Sequence, residues 1–97
     1  MHALNPVSAR FNEQLKAAMA ALHHLDDHGC LVRSIRLGDQ RPVITIDRPA
    51  QHAFLRGAMR RRERIGQVQR TLIAAPFHGC QVEWEVSECV ARQVRQA

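Results

Sequence analysis

From Phe11 onward the apolar residues recur at spacings of four, three, four and three: Phe11, Leu15, Ala18, Leu22 and Leu25. At roughly 100° per residue these positions fall in one narrow arc, which predicts an amphipathic helix with a single buried stripe. Glu13, Lys16 and His24 lie on its far side. Asn5-Pro6 supplies a capping side chain followed by proline at the first helical position. Asp26-Asp27-His28-Gly29 ends the helix, with Gly29 suited to the left-handed terminal position.

The period then shortens. Residues 30–37 and 43–47 are rich in β-branched residues and flank Gly38-Asp39-Gln40-Arg41-Pro42, the signature of two strands joined by a turn. Asp47 and Pro49 predict the start of a second helix, with Phe54, Leu55 and Ala58 toward the core, loosening near residues 60–64. Gly57 weakens such a helix by about 1 kcal/mol relative to alanine, so a glycine here marks close contact with the sheet. After Gly66, residues 67–75 predict a strand. The turn Ala75-Pro76-Phe77-His78-Gly79 leads into 80–86, where Cys80, Val82, Trp84 and Val86 alternate with Gln81, Glu83 and Glu85. Ser87 predicts the cap of a short C-terminal helix or tail over 87–97, carrying Val90 and Val94. The expected fold is α+β, in the order α-ββ-α-ββ-(α): a four-stranded, mainly antiparallel sheet with two main helices on one face. Across it, Glu83 and Glu85 are expected to pair with Arg33, Arg36 or Arg70.

Composition fits one domain over residues 1–97. The chain has 97 residues and a hydrophobic share of 45%, ordinary for a globular protein and too high for a disordered tail. No apolar run approaches the ~18 residues that span a bilayer, and the first residues lack a secretion signal; a cytoplasmic location is expected. The three cysteines, Cys30, Cys80 and Cys89, show no disulfide framework and read as small hydrophobes.

Charge changes the picture more. The net charge is +5, yet residues 48–70 hold seven arginines and one acid, Glu63, for +6, leaving −1 elsewhere. Basicity is therefore a segment and not a general property. Thirteen arginines against the single Lys16 also fit the codon usage of a GC-rich genome. On the predicted helix Arg56, Arg60 and Arg64 align, with Arg48, Arg61, Arg62 and His52 nearby. Guanidinium forks match phosphate and carboxylate alike, so the row suits a nucleic-acid backbone or an acidic protein surface. The plain alternative is a solvated helix face. Phe11, Phe54 and Trp84 sit on expected core faces, there is no tyrosine, and neither a stacking platform nor a helix-turn-helix pattern appears.

His23, His24, His28, Cys30, His78 and Cys80 are zinc-type ligands, and His-Gly-Cys occurs at both 28–30 and 78–80. Strand parity turns Cys80 inward and Cys30 outward, and the spacing matches no zinc signature, so no metal is expected. Isolated glycines make no phosphate loop, and Ser8, Ser34 and Ser87 have no nucleophile context. His24, His28 and His78 are the residues around which a histidine-dependent reaction would have to be built.

The leading expectation is a non-enzymatic, cofactor-free binding module that uses Arg48, Arg56, Arg60, Arg61, Arg62 and Arg64 on a polyanion, foremost nucleic acid with weak sequence specificity. The alternative is a small protein-binding regulator or inhibitor, such as a phage or mobile-element accessory protein, that grips an acidic partner surface. Exposed sheet edges leave room for a homodimer in either case.

Overall fold

The computed structural model describes residues 5–38, 40–49 and 54–89. One long helix, α1 (Pro6–Asp27), is followed by β1 (Val32–Arg36), β2 (Val43–Ile46), β3 (Ala58–Ile65), β4 (Val68–Phe77) and β5 (Cys80–Cys89). The strands form a single sheet in the order β1-β2-β5-β4-β3.

α1 starts and stops where its ends predict. The Asn5 side chain accepts from the Ser8 amide at 2.8 Å, and Pro6 occupies the first turn. At the other end Gly29 takes φ +76°, and the Cys30 amide returns to the Leu25 carbonyl at 2.9 Å. The buried stripe, however, is Gln14, Ala18, Ala21 and Leu25, rotated from the expected one. Leu15 is exposed, as is Met19. Small residues win this face because Ala17, Ala18 and Ala21 let the helix lie close to the sheet. Gln14 is tolerated there because its amide is satisfied. It donates to the carbonyls of Gly38 (2.7 Å) and Gln40 and accepts from the Gly38 amide. Gln14 therefore ties the β1–β2 turn to the helix.

β1 and β2 form the expected antiparallel pair, with a bulge between Val32 and Ser34. β2 then pairs in parallel with β5, Ile44 opposite Val82. The core gathers Ala18, Ala21 and Leu25 of α1 with Ile44, Ile46, Ala75, Cys80, Val82 and Trp84 of the sheet. The alternation expected over 80–86 holds, with Cys80, Val82 and Trp84 buried. Across the other face Arg36 pairs with Glu83 at 3.9 Å and Arg70 with Glu85 at 3.8 Å. Arg33 instead binds Asp47 through both guanidinium and carboxylate forks, and this partner raises the Arg33 pKa.

The expected four-stranded, mainly antiparallel sheet with two main helices is thus corrected: the described residues form one helix and a five-stranded mixed sheet. The decisive segment is 58–65, a strand and not the end of a helix. On a helix Arg56, Arg60 and Arg64 would stack at the four-residue spacing where like charges repel. On a strand successive side chains leave on opposite faces. The turn at Gly66, with φ +62°, folds the segment onto β4 from Ala58 opposite Ala74 to Ile65 opposite Val68, satisfying backbone groups that a helix would have satisfied internally. Asp47 is held by Arg33, and its amide bonds the Leu31 carbonyl; residues 50–53 of the helix expected after it lie outside the described residues. Ser87 is no cap either, since β5 continues through it opposite Arg70. The remainder of the expected C-terminal helix, with Val90 and Val94, lies outside the described residues, as does His52.

Candidate binding cleft at the arginine-rich end of the sheet

β4 and β5 run side by side for ten residues, from Phe77 opposite Cys80 to Val68 opposite Cys89. The buried face of this ribbon, followed away from α1, passes through Val82 and Trp84 to Val86 and Glu88 on β5. On β4 it passes through Ala75 and Ile73 to Thr71 and Gln69. Exposure rises along that path: Val82 and Ala75 are buried, Ile73 and Val86 half-buried, Glu88 exposed. β3 adds Arg62 opposite Thr71 and Arg64 opposite Gln69. At this end the sheet's helix-side face is therefore open and polar.

A cleft of about 470 Å³ lies at the transition. Trp84, Ile73 and Val86 supply apolar lining; Arg48, Arg56 and Arg62 bring positive charge, and Glu88 a single carboxylate. Leu55 and Gly57 contribute from the segment entering β3. Gly57 is in close contact with the sheet, as its sequence position predicts, though on an extended segment and not a helix. A Cβ there would lie 2.7 Å from Ile73 Cγ2 and 2.9 Å from Trp84 Cη2. Glycine lets the arginine-bearing segment lie against the tryptophan ring.

Of the six arginines proposed from sequence, Arg48, Arg56 and Arg62 meet around this cleft. Arg64 shares the face of Arg62 but turns its Nε toward the Gly66 carbonyl at 3.3 Å. Arg61 lies opposite Leu72 on the other face, beside Glu63, which pairs in register with Arg70. Arg60 sits at the bulge between Met59 and Arg61. All six are exposed. The row expected on a helix does not exist; a strand distributes these charges over two faces and an edge. Sequence reasoning did not assign Trp84, Ile73 and Gly57 to a site. The usable signal was the tryptophan on a strand whose following positions turn from apolar to acidic.

The histidines do come together, but as rings. His24 stacks on His78 with centroids 4.1 Å apart, and His28 on Phe54 at 3.8 Å. Phe77 meets His24, His78 and Phe54 edge-on. Among the described residues no group of three or more His, Cys, Asp or Glu is placed to hold a metal ion. Cys30, expected to point outward, is buried with Cys80, because the chain re-enters the core directly after Gly29. β2 separates β1 from β5. Burial pushes both thiols above their ordinary pKa, so they stay protonated at neutral pH.

Comparison with known proteins adds a family. The family model described as the Kil protein family matches residues 11–85, well over half of the chain. The chain belongs to the Kil protein family. No curated protein and no solved structure matches it. The Kil-family match runs from Phe11, within α1, to Glu85 and so takes in most of the helix, β1 to β4 and the arginines around the cleft. Among the described residues this Kil-family chain has no helix long and apolar enough to cross a membrane.

Proposed function

We propose that this Kil-family chain is a non-enzymatic, protein-binding regulator, a phage accessory protein that grips an acidic surface of its partner. The grip comes from the arginines of β3 and of the segment leading into it. The observation that carries this reading is a contrast within one sheet. Arg33, Arg36 and Arg70 are each matched to an acid of the chain itself. Arg60, Arg61 and Arg62 are exposed and make no ion pair among the described residues. Like charges gathered without internal partners repel one another, and an acidic surface relieves that repulsion while steering association.

Family membership supports the accessory-protein reading over nucleic-acid binding, and two structural facts favour the same side. The aromatic rings of Phe54 and Phe77 are engaged with histidines and with each other, and Trp84 is buried, which removes them as stacking platforms for bases. The arginines also face two sides of a strand, whereas a phosphate backbone is tracked along one continuous surface.

The test is co-purification from bacterial lysate treated with nuclease, using wild type and an Arg60→Glu/Arg61→Glu/Arg62→Glu/Arg64→Glu variant. A stoichiometric protein partner that resists nuclease and is lost with the variant is the expected result. Capture of nucleic acid alone, abolished by nuclease, would return the arginines to a polyanion role.

A further inference from the structure

We propose that the cleft at the mouth of β3 accepts one kind of partner segment: a large apolar side chain flanked by carboxylates. This deepens the proposed function and rests on it. The cleft has two chemistries in one place. Ile73 and Val86 are half-buried next to the buried Trp84 ring, an apolar surface that water wets at a cost and an apolar side chain covers with gain. Arg48, Arg56 and Arg62 line the same cleft, and their forks match carboxylates in a way that ammonium groups do not. A purely acidic surface would leave the apolar lining wet. A purely apolar segment would bury arginines without partners, which is costly.

Size and asymmetry narrow the occupant further. About 470 Å³ lies in the range of sites that enclose a small ligand or a few side chains, and exceeds what one carboxylate fills. Glu88 is the one acid among the described residues of the lining. It disfavours a carboxylate at its own end and so sets the direction in which an acidic segment lies. It also opposes a run of phosphates. Gly57 forms the floor beside the buried Trp84 ring, and any side chain there would meet Trp84 and Ile73.

Trp84 is the only tryptophan of the chain, so its emission reports occupation directly. The probes are blocked pentapeptides: a leucine between two pairs of glutamates, the same with glycine for leucine, and the same with lysines for glutamates. Each is titrated to about millimolar concentration, the weak end of specific binding, against wild type, Arg56→Glu/Arg62→Glu and, as a control away from the cleft, Arg41→Glu. The expected result is saturable change of Trp84 emission with the glutamate–leucine peptide. Its affinity should fall about tenfold or more with the glycine peptide and with the double variant, and stay unchanged with Arg41→Glu; the lysine peptide should not bind. Equal binding of the leucine and glycine peptides, without change in Trp84 emission, would overturn the cleft while leaving the acid-binding arginines standing. No binding of either acidic peptide would overturn both.

Discussion

The two ends of the sheet obey the same alternation and end up as different surfaces. Under α1, the helix-side positions of β2 and β5 are Ile44, Ile46, Cys80 and Val82, all buried. At the other end the corresponding positions of β3, β4 and β5 are Arg62, Arg64, Gln69, Thr71 and Glu88, none of them buried. One end holds the fold together and the other meets the outside. Trp84 and Ile73 stand at the junction, where the apolar face runs out and the arginines begin. The lesson is that a strand's periodicity fixes which face a residue takes, while the covering element decides whether that face is a core or a contact surface.

Truncations should separate the two ends most sharply. Leu25→Ala removes a fully buried side chain from the covered end and should cost about 3 kcal/mol in urea unfolding. Val86→Ala, half-buried at the open end, should cost less than about 1 kcal/mol. Equal losses would break the comparison. At the junction, Gly57→Val forces a side chain against Ile73 and Trp84 and should destabilise by about 1–3 kcal/mol, with a change in Trp84 emission. A silent substitution would mean that the arginine segment does not lie against the ring. Gln14→Ala tests the tie between helix and turn, and should cost about 1 kcal/mol through the lost bonds to Gly38 and Gln40.

The smallest effects concern the thiols. Cys30 and Cys80 have raised pKa values in the folded chain, so the folded state holds its protons longer than the unfolded one. Their contribution to stability is complete below the ordinary thiol pKa and is lost as pH rises from there through the raised values. Cys30→Ala/Cys80→Ala should flatten the alkaline fall in an unfolding titration. Thiol labelling of the native protein should modify the exposed Cys89 well before the other two. Simultaneous labelling of all three would place the covered end's cysteines at the surface.

What the sequence revealed and what it hid follow from how local each determinant is. Asn5, Pro6 and Gly29 act within one turn of the chain, and α1 ends where they place it. The alternation over Cys80–Val86 is equally local and equally legible. The stripe of α1 was misjudged because Leu15 looks like a core residue until Gln14 is known to have backbone partners 24 and 26 residues away. β3 was hidden for the same reason. Arg56, Arg60 and Arg64 fit a helical spacing, and only the ladder with β4, made after the turn at Gly66, selects the strand. The arginines were legible as a charge concentration, but their grouping was not. Arg48 and Arg56 join Arg62 at the cleft beside Gly57, which lies against Trp84, a contact that composition does not encode.

On the proposed function, the open, arginine-bearing end is the working surface and a protein occupies it. Site-specific photo-crosslinking in bacterial cells tests this most directly, with the photoreactive residue placed at position 56 or 62 of the cleft, or at position 16 on α1. A discrete protein adduct is expected from 56 and 62, retained after nuclease treatment, and none from 16. Adducts to nucleic acid at 56 and 62, or a protein adduct formed only from 16, would contradict it.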